Sequence, residues 1–535
     1  MKTKIAVATA CLMSSGMALA QTQYDAARFA GEELNGTARF VGMGGAMGAL
    51  GADISTIGTN PAGIALFRGN DVSTSFGMNA TKVKSEFGNS TLNDSRNKAS
   101  FDQIGFVYST KIGNRTNLRY FNLAFNYHKA RNFNKVFQSG GLLSNGMSQT
   151  WQMANLMTGG LQAAGVTEAN IGAATDDIYN YGTAGHEKLG NPYHNQDYPF
   201  LGVMGVRTGL VSPTKENNSL IGWNGISNGY RSREEGGIDR YDFNMSFNVE
   251  DRMYFGVTLG VDDVHYKRST YYTEDIEYGK DGGYYELTND FKTEGTGFNL
   301  KAGAILRPIE DSPFRLGIAV HTPTWYSLTD TYRSTLYSNI QYEGDKTPSE
   351  AQEYTPDYVN GDNQRDYFLI TPWKVNVNAG TVVEGIMALG AEYEYENYSK
   401  AKLQYDNHDP MENQNSYLKE DLKGVHTLRV GMETLITPSF SLRAGYNYST
   451  AAFKKTAYKS LDYNDMRTDV EYANDFARQT VTVGLGYRGK VMYADAAYKY
   501  NIYKSDFYPF SDEQLAAAKL TNERHQVLVT VGVHF

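Results

Sequence analysis

Cysteine is almost missing from this chain of 535 residues; the single one is Cys11. It lies in a segment with the pattern of a removable leader. Lys2 and Lys4 precede the apolar run Ile5 to Met13, and Ala18-Leu19-Ala20 forms a small-x-small site before Gln21. Residues 1–20 therefore read as a cleaved secretory signal. Ala8-Thr9-Ala10 ahead of Cys11 is a poor lipidation box. A mature chain starting at Gln21 holds no cysteine, which excludes disulfides, thiol catalysis and cysteine-ligated metals together.

Proline is scarce as well, 13 residues against 54 Gly, 40 Tyr and 25 Phe. That balance belongs to an ordered, aromatic-rich chain and not to a disordered or collagen-like one. Long apolar runs are lacking beyond the leader, and mean hydropathy is −0.48. A spanning helix, which needs about eighteen such residues, is excluded. Basic excess is absent too. Loss of Lys2 and Lys4, with no acid in the leader, takes the formal charge from −9 to −11, which argues against a nucleic-acid partner.

What is present is alternation with a period of two. Tyr241, Phe243, Met245, Phe247 and Val249 interleave with Asp242, Asn244, Ser246 and Asn248. After Glu250-Asp251, the residues Met253, Phe255, Val257, Leu259 and Val261 repeat the pattern. Such runs exceed ordinary strands and cover the nine to eleven or so residues of a membrane-spanning strand. Their polar sides carry Lys301, Arg315, Arg429, Glu433, Arg443, Asp495 and Lys499 in mid-strand. These charges suit a wet lumen better than a dry sandwich core, so the apolar face must meet lipid.

Fourteen such segments are counted, among them 71–83, 100–111, 239–249, 252–268 and 290–307. The expected fold is all-β: a 14-stranded antiparallel transmembrane β-barrel with an N-terminal hatch, or plug, inside the lumen. Short turns such as Gly113-Asn114 and Pro438-Ser439 follow even-numbered strands, and long polar connections are expected after odd-numbered ones. Val527, Val529, Val531, Val533 and the terminal Phe535 share one face of the last strand. That ending resembles the signal read by the outer-membrane barrel-insertion machinery. Phe535 is accordingly the candidate assembly signal.

Residues 21–68 do not alternate. Gly42-Met43-Gly44-Gly45-Ala46-Met47-Gly48-Ala49-Leu50-Gly51 is small and apolar, and Asn60-Pro61-Ala62-Gly63 follows. Met47 stands where a dinucleotide loop needs glycine, so a phosphate cradle is rejected. A compact plug fits instead, because a fourteen-stranded barrel is too wide for its own side chains to fill. Pro61 fixes its own backbone and restricts Asn60, making Asn60-Pro61-Ala62 a rigid corner between plug and wall.

The run from Thr37-Ala38-Arg39 through Gly42-Met43-Gly44-Gly45-Ala46 and Asp53 to Asn60-Pro61-Ala62-Gly63 resembles the N-terminal hatch of FadL-type outer-membrane transporters. These carry long-chain fatty acids or aromatic hydrocarbons. The resemblance implies that Asp53, Asn60, Pro61, Ala62 and Gly63 belong to a hatch or gate. It also implies capture of ligand outside, passage to a pocket in the barrel and release through a gap in the wall. The connection 132–237 departs from the better-known members, whose large loops fall later. In it, Ser148 is placed to cap a helix carrying Trp151, Ala154, Met157 and Leu161. Trp151, Met157, Phe200, Leu201 and Met204 are the candidate residues for capture of a hydrophobic ligand, with a self-folded structural cap as the equal alternative.

Catalytic residues are not expected. Asp262, Asp263 and His265 form the best acid–histidine group but have no acyl-transfer signature beside them. Asp406, His408, Asp409 and Glu412 lack the spacing of a calcium loop, so neither metal nor cofactor is expected. The expectation is therefore an outer-membrane transporter of hydrophobic small molecules, acting as a monomer. Its partners would be that ligand, outer-membrane lipid and lipopolysaccharide, and the insertion machinery. A general porin conflicts with the plug. A non-transporting barrel that docks a partner in surface export or assembly stays open, since fold does not fix function. Maturation is directly testable: N-terminal sequencing of the outer-membrane form should begin at Gln21, with Cys11 gone.

Overall fold

The computed structural model describes residues 21–535 except 114, 115, 187, 215, 217 and 357–362. The signal segment 1–20 and Asn114 of the expected Gly113-Asn114 turn lie outside the described residues. Fourteen antiparallel strands close into a barrel. They are β1 (Asp71–Phe87), β2 (Ser90–Lys111), β3 (Leu118–Asn132, continued by Lys135–Leu142), β4 (Asn224–Val249), β5 (Met253–Tyr278) and β6 (Asp281–Leu306). Next come β7 (Arg315–His321 and Trp325–Gln341), β8 (Ser349–Tyr354, Asn363–Ile370 and Lys374–Val383), β9 (Met387–Asn397 and Lys402–Tyr405) and β10 (Gly424–Thr437). The wall ends with β11 (Phe440–Ser449), β12 (Tyr472–Arg488), β13 (Met492–Tyr508) and β14 (Ala518–His534).

Closure is made by β1 and β14, paired from Asp71↔His534 to Glu86↔Lys519. Asn70 and Phe535 finish the seam by exchanging backbone hydrogen bonds of 2.8 and 3.0 Å. The alternation resolves into two environments. Phe243, Val257, Val377, Val430, Val483, Val529 and their neighbours face outward, whereas Asn244, Thr258, Asn376, Thr482 and Thr530 are buried in the lumen. The outward apolar band is what lipid requires, and pairing leaves no open edge in it.

The strands are longer than their alternation suggested. β5 runs for 26 residues, about 85 Å at roughly 3.3 Å each, nearly three times the hydrocarbon core of about 30 Å. Its upper part stands outside the membrane, where the outer face meets water and turns polar while the inner face packs under the cap, so the outward apolar period disappears. For that reason the expected long connections after β1 and β5 are corrected. Gly88-Asn89 and Gly279-Lys280 join these strands as tight hairpins. Both glycines take φ near +60° (56° and 65°), the left-handed conformation that hairpin turns use.

β7 and β8 break at the same level, at Thr322-Pro323-Thr324 and Thr371-Pro372-Trp373. Proline offers no N–H to a ladder. The seam is restored locally, with the Thr324 N–H donating to Thr371 Oγ1 (2.8 Å) and the Thr371 N–H to the Thr324 carbonyl (3.1 Å).

The insert between β3 and β4 is likewise narrower than 132–237, because 135–142 and 224–237 continue the wall. The segment that leaves the wall, 143–223, carries α3 (Gln149–Ala163), α4 (Ile171–Asn180) and α5 (Phe200–Arg207). Ser148 caps α3 by accepting from the Thr150 N–H. Folded protein should migrate differently in detergent gels before and after boiling. Deletion of Phe535 removes part of the seam and should lower the heat-modifiable fraction in membranes.

Candidate functional site

The lumen is occupied from below by residues 21–66. α1 (Gln23–Ala30) begins with a capping box between Thr22 and Asp25, and α2 (Ala38–Gly42) is capped by Thr37. Two single-turn helices follow, Ile54–Gly58 capped by Asp53 and Pro61–Leu66 capped by Asn60. Each cap satisfies N–H groups that would otherwise be orphaned inside the tube. Proline at the first position of the last helix costs no hydrogen bond.

Inward-facing glycines let this backbone lie directly on the wall. A Cβ at Gly390 of β9 would fall 1.9 Å from the Ala46 carbonyl, and one at Gly431 of β10 2.1 Å from that of Met43. At Gly256 of β5 it would fall 2.3 Å from the Pro61 carbonyl. The buried Asn60 fastens the next strands. Its amide donates to Asn378 Oδ1 (3.2 Å), while its own oxygen accepts the Ala62 N–H (3.1 Å). Asp53 accepts the Thr37 hydroxyl on both oxygens at 2.9 Å. Gly63 sits against Thr56 and donates its N–H to the Asn60 carbonyl. All five sequence-derived hatch residues thus lie in one packed segment.

Charge then locks plug to wall. Arg39 grips Glu433 through two nitrogens (3.0 and 2.8 Å), Glu433 also meets Arg443, and Arg443 reaches Asp495 at 2.6 Å. The mid-strand charges expected to face water are instead partners of one another and of the plug. Arg315 and Lys499 donate to the hatch carbonyls of Leu50 and Leu34.

Above, the mouth is covered. The cap packs α3 and α5 together with the loop 450–471 and the upper strands in one apolar core. It is held on opposite sides of the rim: the Gln149 N–H donates to Glu274 of β5, and Gln152 accepts from the Ser511 N–H beyond β13. Met157, Phe200, Leu201 and Met204 are buried inside this core, and Trp151 is half-buried. In this closed arrangement these candidate capture residues form the interior of the cap.

Plug and cap are also joined by ions. Arg467 of the loop 450–471 pairs with Asp25 of α1 and, by two bonds of 2.7 and 2.6 Å, with Asp469, which Lys459 and Arg268 also hold. Arg467 and Asp25 are each about 1% exposed. Burial alone would raise the Asp25 carboxyl, but Arg467, then Arg28 and Lys459, outweigh it and hold the group well below the usual carboxylate range. Between plug and cap remains a cavity of about 360 Å³. Phe137, Tyr230, Phe507, Phe453 and Tyr472 line it together with many charged groups, Glu32, Glu33, Arg131, Lys135 and Arg478 among them.

The acid–histidine group does not assemble. Asp262 faces the lumen, bound to Arg240 and to the Tyr326 hydroxyl at 2.6 Å each, whereas Asp263 and His265 lie on the outer face of β5. Arg467, Asp25, Glu33 and Arg131 had no motif to single them out; only the repeated charge in lumen-facing positions hinted at such pairs.

No family model and no curated relative matches the sequence. Solved structures do. A Pseudomonas aeruginosa FadL homologue aligns over 94% of this chain and 99% of its own, with TM-score 0.51 and 13% identity. The Pseudomonas putida toluene transporter TodX and the Ralstonia pickettii toluene transporter TbuX cover the same shares, at TM-score 0.44 and identities of 11% and 12%. The chain is a β-barrel of the plugged, fourteen-stranded class. Within that class its fold is the FadL type.

Arg467→Met leaves Asp25 and part of the Asp469 network buried without their main cation. Breaking such a pair from one side costs about 3–5 kcal/mol. Amide exchange of residues 23–30 should rise by roughly two to three and a half orders of magnitude, while the barrel remains heat-modifiable.

Proposed function

We propose that this barrel carries small molecules with substantial apolar surface across the outer membrane, by a route that opens only when the hatch moves. The observation that carries the reading is the cavity between plug and cap, lined on one side by the aromatic group of Phe137, Tyr230 and Phe507. A permanently open pore would have no use for two seals. A binding chamber between them holds a greasy solute that water holds poorly, burial of apolar surface contributing about 25 cal/mol per Å².

The FadL-type fold and the hatch-like run from Thr37 to Gly63 support the same reading. Asp53, Asn60, Pro61, Ala62 and Gly63 are proposed as the gate, because they cap and dock the segment that fills the lower lumen. The cap residues Trp151, Met157, Phe200, Leu201 and Met204 are proposed to meet ligand only when the cap opens; while it is closed they keep the mouth shut.

Uptake is the test. Gly431→Val introduces a side chain where the Met43 carbonyl lies, so the hatch cannot seat. Cells carrying this variant, or a deletion of 37–59, should gain sensitivity to polar antibiotics by about tenfold or more and lose selective uptake of toluene and octanoate. Pro61→Gly should slow that uptake and admit polar solutes less. If neither uptake nor sensitivity changes while the barrel assembles, the segment does not gate, and a docking role replaces transport.

A further inference from the structure

The cavity between plug and cap has one wall whose charge the protein does not balance. Arg131 and Lys135 of β3, Arg478 of β12, Lys499 of β13 and Arg524 of β14 all line it. Only Arg524 has a carboxylate at hydrogen-bond distance, Glu33 of the plug at 2.6 Å. Arg478 stays 3.9 Å from that same Glu33. Lys499 donates to the Leu34 carbonyl at 2.6 Å. Arg131 and Lys135 form no ion pair among the described residues. They lie over aromatic rings: Arg131 at 5.5 Å from the Phe133 centroid, and Lys135 at 5.1 Å from Phe137 and 5.9 Å from Tyr503, which Arg478 also covers at 4.5 Å.

Two further carboxylates nearby line the cavity and offset part of this charge. Asp475 accepts the Ser505 hydroxyl at 2.7 Å and Glu234 the Tyr266 hydroxyl at 3.0 Å. The chain as a whole is acidic, −9, so this excess of cations is local. Cations gathered with so few counter-charges are costly unless an anion joins them. Arginine adds fork-shaped donors that suit oxyanions, bidentate to phosphate or carboxylate. Beside this wall stands the aromatic group of Phe137, Tyr230 and Phe507, with ring centroids 4.7 to 5.4 Å apart.

We propose that the Arg131–Lys135–Arg478 wall is a binding site for a doubly charged oxyanion of the phosphate-monoester kind, carried on an apolar body that lies against Phe137, Tyr230 and Phe507. Two charges are specified because five cations, Arg131, Lys135, Arg478, Lys499 and Arg524, line this wall against three carboxylates, Glu33, Glu234 and Asp475. A single carboxylate would leave the wall positive, and a neutral hydrocarbon would leave it untouched. The assignment rests on the cavity being a ligand station, and it narrows the class of molecule held there.

The test uses the full-length barrel in detergent and isothermal titration with octyl phosphate, octanoate and octanol, which share a tail and differ in head charge. Octyl phosphate should bind at least tenfold tighter than octanoate, with octanol weaker still. Lys135→Met combined with Arg478→Met, checked by the gel shift on boiling, should remove that preference, and Lys135→Arg should keep it. Inorganic phosphate as competitor separates the sources: displacement assigns the site to the free ion as well, and its absence assigns the site to the amphiphile. Equal binding of all three compounds, or a folded double variant with unchanged preference, overturns the proposal. Transport of toluene gated by the hatch would survive that result, whereas loss of gating in cells would leave the binding order unaffected, so the two readings fail separately.

Discussion

Everything in this molecule depends on one constraint: a sheet standing in hydrocarbon must leave no backbone N–H or C=O without a partner. The β1–β14 seam meets it, down to the bonds between Asn70 and Phe535. Closure with fourteen strands then sets the next problem, because the resulting tube is too wide to be filled by its own wall. A plug is one solution, and here it dictates the wall. Glycine recurs at Gly256, Gly390 and Gly431 because plug carbonyls run where side chains would stand. Beside the plug the wall also carries paired ions, Arg429 with Glu392 and Arg443 with Glu433 and Asp495.

Those ions connect parts that the sequence keeps far apart. Arg39 and Glu433 tie the hatch to β10, and Arg467 and Asp25 tie the loop above the barrel to the helix inside it. Buried pairs of this sort add little net stability, since desolvation offsets much of the attraction, but breaking one side is expensive. Their effect is to make positions interdependent. The cap cannot lift away from α1, nor α1 from the cap, without exposing or stranding a charge. Plug and cap are thereby coupled across the cavity between them.

The wall was legible because lipid imposes a period of two on every crossing strand. The order of all fourteen strands could be read from it, and so could the lipid-facing Val527, Val529 and Val531. Its failures have a shared cause. Above the membrane the outward face of a strand is wet and polar, so residues 90–99, 224–238 and 269–278 lose the outward apolar signal and look like loop. The hatch was visible through its small residues and its Asn-Pro-Ala-Gly run. The contacts of Asn60 with Asn378 and of Asp53 with Thr37 were not, because hydrogen bonds over such separations leave no spacing to detect.

The sequence by itself determined the barrel, its strand order and the existence of a plug, since each is written in local periodicity or composition. Only the tertiary structure decided which charges meet. Lys301, Arg315, Arg429, Glu433, Arg443, Asp495 and Lys499 are alike in one dimension, as polar residues in a lumen-facing register. In three dimensions Arg443 closes a chain of ions, Arg315 serves the plug backbone, and Lys499 lies on a cationic wall. The difference is physical: periodicity reports the solvent a residue faces, whereas charge partnership depends on distance across the lumen, which exists only once the barrel has closed.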